Sequence, residues 1–595
     1  MRKVYGLSMN ATKLLVALSL FSTVSAQTMI DGHVFDLNGS PVTQALVSVR
    51  TAASHKGADI ISVFTDNQGY FKFQQRITGV SDQDDAIVIR KLGYETVNIT
   101  AIENRKKNNN LTAVMRKTTN FANVAPASAW LSGMAPADME NVVNNCIGCH
   151  QVPASEARAY AKQISMVDST NPDLVREQSW SALVKYMNYL SAEEFGRGAS
   201  SAPPEANRVY AVGDGDDIAK ILSAHFTDDM QELDSYDYGA PLMVNAKTTI
   251  LEYEVPRPNA IREAILGGNP ERLWVADVSS SNMIAINMAT GEQELHEIPY
   301  KNPVGPHSLH RGKNGSIWMA PFFTSVVAHL DPDSRKWETW EMFTPDGRRV
   351  GIHDLSFGKD HELLTDNSGL IWFSDIGNNA VGSLDPRTGE IINYVAPEIE
   401  GRPGRQAALY GLVMTSDRKH IWYSQFGIGA FGSFNVETQE FDHSVSLPSI
   451  HSGPRRLSIN DEDIVYVPLY GSGQLIEYDA KTNEQVGIYD LPDRASAPYA
   501  VTWDPVRKVV WIPTSNGDVI YRFDTRDKSF SVLPLPRTHA FLRMLDVDPE
   551  TGVLITSYAN IVEHVHGPRM ALLIDPGDNT YIKDGDALSR LISRK

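Results

Sequence analysis

The sequence has few cysteines, a shortage of positive charge and no apolar run long enough to cross a membrane. Only 2 of the 595 residues are cysteine, which excludes a disulfide scaffold or a zinc module with several cysteine ligands. Acidic residues outnumber basic ones by 72 to 54, so the net charge is −18. That charge argues against a nucleic-acid partner and against docking on anionic lipid. Glycine (42) and proline (32) are plentiful, as in turn-rich β proteins.

The N-terminus has the three-part pattern of a secretory signal peptide. Basic Arg2 and Lys3 precede an apolar stretch at residues 14–24, and the small residues Ser25 and Ala26 follow it. Such a stretch is too short to span a bilayer and typical of a cleaved signal. We therefore expect residues 1–26 to be removed. The mature chain is then expected to be periplasmic or secreted, in a bacterium, without a transmembrane span.

Short alternating strands separated by turn residues follow, over residues 27–120. They include a Gly-x-Val opening at Gly32, an Asn-Gly-x-Pro turn at Asn38, a Thr-Asp-x-x-Gly-x-Phe turn at Thr65 and a Gly-Tyr pair at Gly93. These features resemble the carboxypeptidase regulatory-like (transthyretin-like) domain. The resemblance implies a β-sandwich that packs against or presents other parts of the chain and has no catalytic role.

The most specific motif is a Cys-x-x-Cys-His run formed by Cys146, Cys149 and His150. At this spacing both thiols can add to the vinyl groups of one haem while the histidine reaches the iron. A redox-active cysteine pair and a chance match are the alternatives. Against them, these are the only two cysteines, the histidine follows at once and export is predicted. The sequence therefore predicts covalently attached haem c, with His150 as an iron ligand.

Apolar residues at helical spacing surround this motif. Helices are predicted at residues 138–145, around Trp180 and at 216–226, with a loop rich in small residues at 196–214. This order resembles a small monohaem cytochrome c domain over residues 130–235, which implies electron transfer with a periplasmic partner.

The second iron ligand is predicted to be methionine or histidine, unless that position is open. Met166, Met187 and Met230 follow the motif, and Met187 matches the resembling pattern best. Core packing is the alternative role for Met187, and His225 is a further candidate ligand.

An apolar–aromatic strand recurs through residues 247–595 with a period of about 40–50 residues, which indicates a β-propeller. The strands are centred on Trp274, Trp318, Trp372, Trp422, Tyr466, Trp511 and Ile555, so seven blades are expected. Residues 251–256 have the form of a fourth strand but precede the first repeat. We predict that they complete the last blade and close the ring of blades. The fold class is thus mostly β and multidomain, with a sandwich, a small helical cytochrome domain and a seven-bladed propeller.

Aligning the repeats places arginine, histidine or tyrosine at the start of every first strand. These seven positions, called the ring residues below, are Arg262, His307, His353, Tyr410, Arg455, Tyr499 and Arg543. First strands surround the channel of a propeller, so we predict a ring of donors at one mouth that binds a small polar or anionic ligand. Generic polar lining of a wet channel is the alternative. Asp277, Asp375 and Gln425, three residues beyond the aromatic residue, are expected at the same mouth.

The repeats resemble the streptogramin (virginiamycin B) lyase family, most closely at the Gly-x-Ile-Trp-Phe run from Gly369. The resemblance implies a catalytic histidine at the corner position, an acidic residue three beyond the tryptophan and a nearby Mg²⁺ ion. His353 with Asp375 fits this pair, whereas His307 fits only the corner because Pro321 replaces the acid. The catalytic candidates are therefore His353, Asp375 and His307. Residues 563–566, Glu-His-Val-His, are a second candidate metal or acid–base cluster.

Three classes of function remain open from the sequence. The first is an exported oxidoreductase or electron-transfer protein whose propeller binds substrate, with Mg²⁺ or a second cofactor in the channel as a variant. The second is a metal-assisted lyase that uses His353 and Asp375, with the haem as an accessory. The third is a non-enzymatic binding module. We favour the first, because a covalent haem beside a ligand-binding ring indicates redox coupling.

Overall fold

The computed structural model describes residues 30–75, 77, 79–81, 86–100, 110–148, 150–154, 157–159, 170–198, 215–226, 232–256, 260–301, 304–321, 324–402, 408–559, 569–583 and 585–594. Strands dominate this part of the chain, and the mostly β fold class is confirmed. No helix of the described residues is both long and apolar enough to cross a membrane.

The first seven strands form two sheets, called the N-terminal β unit below. They are β1 (Asp31–Asp36), β2 (Leu46–Arg50), β3 (Ile60–Phe64), β4 (Tyr70–Lys72), β5 (Ile87–Arg90), β6 (Val97–Ile99) and β7 (Asn110–Met115). One sheet has the order β4-β1-β7, and the other contains β3-β2-β5-β6. Val34, Val47, Phe71 and Ile89 are buried in one shared core, because alternate residues of each strand face inward.

A helical stretch follows, with a 3₁₀ turn at Ala127–Leu131 and helices α1 (Pro136–Cys146), α2 (Pro172–Gly198) and α3 (Gly215–His225). Helix α1 starts at a proline, which suits the first helical turn. Helix α2 packs against the end of α3 through Trp180 and Phe226, whose ring centroids are 5.6 Å apart. The loop predicted at residues 196–214 begins within α2, and the rest of it lies outside the described residues.

Seven four-stranded antiparallel blades make up the propeller. Blade 1 consists of β9 (Ile261–Gly267), β10 (Arg272–Asp277), β11 (Asn282–Ile286) and β12 (Gln293–Glu297). Blade 2 consists of β13 (Pro306–Arg311), β14 (Ile317–Pro321), β15 (Val326–Leu330) and β16 (Trp337–Glu341). Blade 3 consists of β17 (Ile352–Leu355), β18 (Ile371–Asp375), β19 (Ala380–Leu384) and β20 (Ile391–Val395). Blade 4 consists of β21 (Leu409–Met414), β22 (His420–Gln425), β23 (Ala430–Asn435) and β24 (Glu440–Ser446). Blade 5 consists of β25 (Ser458–Ile459), β26 (Ile464–Leu469), β27 (Gln474–Asp479) and β28 (Glu484–Asp490).

Blade 6 is β29 (Thr502–Asp504), β30 (Val509–Pro513), β31 (Val519–Asp524) and β32 (Phe530–Pro534). Blade 7 joins β33 (Leu542–Val547), β34 (Leu554–Tyr558) and β35 (Met570–Asp575) to β8 (Thr249–Glu254), and helix α4 (Ala587–Ile592) follows. The first strand of each blade contacts the first strand of the next, and β33 contacts β9. The first strands therefore form a closed inner ring.

Burial explains the repeat pattern in the sequence. Second strands such as β18 and β30 are buried along their whole length, because each blade packs between two others, and they read as continuous apolar–aromatic runs. Fourth strands such as β24 alternate between half-buried and exposed residues. Within blade 3 the buried Trp372 indole is satisfied locally, since its Nε1 donates to Asp366 Oδ2 at 2.9 Å.

Strand β8 closes the propeller, as predicted for residues 251–256. It pairs with β35 along its full length, from Thr249 opposite Asp575 to Glu254 opposite Met570. Its other edge pairs with β3 of the N-terminal β unit, which the sequence did not indicate. Blade 7 thus continues into an eight-stranded sheet with the order β33-β34-β35-β8-β3-β2-β5-β6. Within it the fully buried Glu252 carboxylate accepts from Arg537 Nε at 3.2 Å.

Candidate functional site

The ring residues come together at one end of the inner strands. All seven are 2% exposed or less. The ring centroids of His307 and His353 are 5.0 Å apart, and those of His353 and Tyr410 are 3.6 Å apart. The hydroxyls of Tyr410 and Tyr499 form a hydrogen bond. Side chains from neighbouring and opposite blades thus meet in one buried cluster.

Two arginines of the ring, Arg455 and Arg543, are held by aromatic faces and phenol oxygens. The Arg455 guanidinium carbon lies 3.7 Å from the ring centroid of Tyr470 and 4.6 Å from that of Tyr499. Its Nη1 donates to Tyr410 Oη at 3.4 Å. Arg543 Nη1 donates to Tyr499 Oη at 2.8 Å. Such cation–π contacts and charged hydrogen bonds fix the positive groups in place.

Burial and these cations determine the protonation of the ring. Burial lowers the pKa of His307 well below its ordinary value, and the nearby His353, Arg456, Arg262 and Arg543 lower it further. Burial and arginines also lower the pKa of His353 well below its ordinary value. Both imidazoles are therefore neutral at pH 7.

Tyr499 responds in the opposite sense to its surroundings. Burial would raise the pKa of its phenol, but the guanidinium groups of Arg543, Arg455 and Arg456 outweigh burial and lower the pKa to about 8. The cluster therefore stabilises negative charge, as a site for an anionic ligand would.

The residue after each ring residue forms a second layer of the channel. Its members are Glu263, Ser308, Asp354, Gly411, Arg456, Ala500 and Met544. Arg456 lies at its centre: Nη1 is 2.5 Å from Glu263 Oε1 and 3.0 Å from Met544 Sδ, Nη2 donates to Ser308 Oγ, and Nε is 3.7 Å from Asp354 Oδ2. His310 Nε2 is 2.8 Å from Asp354 Oδ1. Side chains from blades 1, 2, 3, 5 and 7 thus meet around the Arg456 guanidinium.

The acidic residues expected at the mouth tie strands to loops. Asp375 Oδ1 accepts from the Gly351 amide at 3.0 Å, and Oδ2 accepts from Asn378 Nδ2 and Asn393 Nδ2, both at 2.6 Å. Asp277 accepts from the Ala260 amide at 3.0 Å. Each carboxylate thus fixes the backbone two residues before a ring residue.

Gln425 Nε2 donates to Asn379 Oδ1 at 3.3 Å. The contacts of Asp375 join it to its own blade, and its pairing with His353 stays a prediction. Among the described residues, no three His, Cys, Asp or Glu side chains cluster closely enough to hold a metal ion.

The end of α1 and the described residues after it, here called the motif segment (residues 144–148 and 150–152), lie directly on the ring. Tyr470 Oη donates to the Ile147 carbonyl at 2.5 Å, and Arg543 Nη2 donates to the Gly148 carbonyl. Arg543 therefore bonds the ring and the Cys-x-x-Cys-His run at once. Asn144 fits against Gly453, where an added Cβ would lie 2.2 Å from Asn144 Oδ1.

Blade 6 holds the residues that follow His150. Asn516 Oδ1 accepts from the Val152 amide at 2.9 Å, and Asn516 Nδ2 donates to the Val152 carbonyl at 3.0 Å. Gln151 Nε2 donates to Asp518 Oδ1 at 2.7 Å. Both polar backbone groups of Val152 are thus satisfied by one propeller side chain, which fixes the exit of the motif.

Two residues of the predicted haem motif, Cys146 and His150, lie in the described part of the chain. Cys146 is the last residue of α1, and burial raises the pKa of its thiol to about 12. His150 Nδ1 lies 2.7 Å from the Gln151 carbonyl oxygen. Donation to a backbone carbonyl selects the tautomer in which Nε2 carries the lone pair, as in metal-binding histidines.

The candidates for the second iron ligand differ in their surroundings. Met187 lies on α2 on the same stripe as the buried Trp180 and Val184, and is itself 38% exposed. His225 Nε2 lies 3.0 Å from the Trp130 carbonyl oxygen. Cys149, Met166, Met230 and residues 563–566 lie outside the described residues.

Tyr470 and the second layer were not among the residues predicted from the sequence. Both could have been found by the same alignment, since Tyr470 directly follows the second strand of blade 5 and the second layer lies one position after the ring residues.

Comparison with solved structures finds propeller proteins. Virginiamycin B lyase from Staphylococcus aureus is 13% identical, covering 55% of this chain and 98% of its own, with a TM-score of 0.45. A streptogramin B lyase is 16% identical, covering 55% and 97%, with a TM-score of 0.44. The Cps50 (Swd1) propeller domain from Myceliophteria thermophila is 11% identical, covering 54% and 99%, with a TM-score of 0.41. No protein-family model and no curated protein matches the sequence.

Proposed function

We propose that this chain is an exported c-type cytochrome whose propeller binds a small polar or anionic substrate, acting in electron transfer or in oxidation of that substrate. The observation that carries this proposal is the position of Arg543, which donates to both Tyr499 Oη and the Gly148 carbonyl. A ligand at the ring would therefore lie beside the Cys-x-x-Cys-His run.

The haem would be held by Cys146, Cys149 and His150, with Met187 as the proposed second iron ligand. When bound, it supplies a one-electron acceptor or donor. The chain's own contribution is to fix this run through Tyr470 and Arg543. We retain residues 27–120, 130–235 and 247–595 as the proposed domains of a periplasmic or secreted protein.

The ring supplies binding and proton transfer. Arg262, Arg455 and Arg543 are the groups that would bind an anionic substrate, since guanidinium matches carboxylate, phosphate or sulfate. A substrate that loses electrons generally also loses protons. His307 and His353 are neutral because burial and the arginines lower their pKa. Either imidazole can therefore accept a proton from the substrate.

Metal-assisted lyase chemistry has less support from the hydrogen bonds of Asp375, the acidic residue proposed for it. The two Asp375 oxygens accept from Gly351, Asn378 and Asn393. These bonds fix the corner before His353, so a positioning role accounts for Asp375 without a bound ion.

The test is a visible spectrum of protein matured with a haem-attachment system. Reduced-minus-oxidised spectra are recorded before and after adding small organic anions that also carry an oxidisable hydroxyl group: hydroxy-carboxylates, phosphate esters and sulfate esters. We expect substrate-driven haem reduction that is lost in Arg455→Ala and His353→Ala. It should be kept in Arg335→Ala, which removes an exposed arginine from an outer turn of blade 2.

An unchanged Soret band in each variant, with Arg455→Lys as a milder change, shows that the haem environment is intact. Absence of a c-type spectrum would disprove the haem assignment. A c-type spectrum that none of these compounds changes would count against substrate oxidation at the ring.

A further inference from the structure

A cavity lined by none of the ring residues lies where the N-terminal β unit meets the propeller. It has a volume of about 300 Å³, at the small end of the roughly 300–1,000 Å³ typical of ligand pockets. Its walls come from β2, β3, the residues after β5, residues 237–242 and the end of β32. Apolar side chains line much of it: Leu46, Phe64, Leu92, Leu242 and Leu535.

Two adjacent cations also line this cavity. Arg90 Nη1 donates to the Pro536 carbonyl at 2.7 Å, and Lys91 Nζ donates to the Thr43 carbonyl. Both are partly buried, and burial lowers the pKa of each. The two hydrogen bonds go to neutral carbonyl groups, and Arg90 is in addition attracted by the buried Asp518 carboxylate. Cations removed from water and held by neutral acceptors favour an anion beside them.

The other polar groups of the cavity are compatible with such an anion. Asp237 Oδ1 accepts from the Gly239 amide at 2.7 Å, so this carboxylate stabilises its own turn. Burial raises the pKa of Tyr238 to about 12. Its hydroxyl therefore stays protonated at neutral pH and can donate a hydrogen bond.

We propose that this cavity is a binding site for a small amphiphilic anion, with a carboxylate or sulfate beside Arg90 and Lys91 and an apolar body against the leucines and Phe64. Two cations and one carboxylate line the cavity. The buried Asp518 partly offsets the charge of Arg90, so Lys91 is the main group that attracts an anion, and the leucines and Phe64 contact its apolar body. This site does not depend on the haem or on a ligand at the ring.

Isothermal titration calorimetry of the full mature protein with octanoate tests the proposal, and 1-octanol is the neutral probe of the same length. We expect octanoate to bind at one site per chain. In Lys91→Gln its affinity should fall at least about tenfold, the effect of one charge-assisted hydrogen bond. Thr96→Trp should also weaken binding, because Thr96 lines the cavity and an indole would fill it.

Lys72→Gln is the matched control, since Lys72 is an exposed lysine of β4 in the same unit. It should bind octanoate as the unmodified protein does. The proposal is overturned if octanoate fails to bind at millimolar concentration, if 1-octanol binds equally well, or if Lys91→Gln and Thr96→Trp leave the affinity unchanged.

Discussion

Replacing Asn516 by alanine should release the motif segment from blade 6 without unfolding the propeller. Asn516 is fully buried and makes two hydrogen bonds to the backbone of Val152, at 2.9 and 3.0 Å. A net value of about 1 kcal/mol for each bond gives about 2 kcal/mol of local destabilisation. Local opening around Val152 should therefore become roughly 30 times more frequent.

Amide hydrogen exchange of Val152, read by mass spectrometry or NMR, measures this opening directly. Asn460→Ala is the matched control: Asn460 is also buried, and its Oδ1 accepts from the Glu462 and Ile464 amides within blade 5. Asn460→Ala should lower the global free energy of unfolding. It should leave the protection of the Val152 amide, relative to the other slowly exchanging amides, unchanged. Equal protection of Val152 in the two variants would refute the docking role of Asn516.

Three further predictions concern the ring, the channel and the N-terminal β unit. The pKa of Tyr499 is lowered from 10 to about 8 in the folded protein, so between these pH values the unfolded chain holds a proton that the folded chain has lost. The free energy of unfolding should therefore rise by up to about 2.7 kcal/mol from pH 8 to 10, and urea unfolding of Tyr499→Phe should lack this rise. Arg456→Met leaves the Glu263 carboxylate buried without its cation and should lower the free energy of unfolding, measured in urea, by about 3–5 kcal/mol. The double variant that also carries Glu263→Gln should recover part of this loss. Ile61→Ala in β3 should lower the free energy of unfolding by about 2–5 kcal/mol. The N-terminal β unit has no tryptophan, so a shift in the unfolding transition seen by tryptophan fluorescence, which we expect, would show that this unit unfolds together with the propeller. An unmoved transition would mean that this unit unfolds independently.

Repeat spacing predicted the propeller well, because every blade must bury its second strand between two neighbours. The same logic found β8, since residues 251–256 have the form of a fourth strand with no blade of their own. It also found the ring residues, which the structure brings together. The pairing of β3 with β8 left no comparable signal. Either edge of a short apolar strand can accept a partner, and the sequence does not specify which one does.

The second layer was missed for a more specific reason. Strict alternation would send the residue after each ring residue to the opposite side of its strand. The structure shows register shifts at these points, as between Pro306 and Ser308 in blade 2 and between Ile352 and Leu355 in blade 3. Such irregularities re-aim side chains, so consecutive residues both reach the channel. Docking of the motif segment was equally hidden, because carbonyl acceptors such as that of Gly148 belong to the backbone.

The position of β8 has a consequence for how the helical stretch meets the ring. That stretch leaves the N-terminal β unit after β7, in the three-stranded sheet, and ends at β8, whose eight-stranded sheet also contains strands of that unit. It is therefore a loop tethered at both ends, and its contact with the ring is an intramolecular event at high effective concentration. A few hydrogen bonds from Tyr470, Arg543 and Asn516 are then enough to keep it docked. The same tether would let it open and return without dissociating, so ligand entry need not compete with loss of the motif segment.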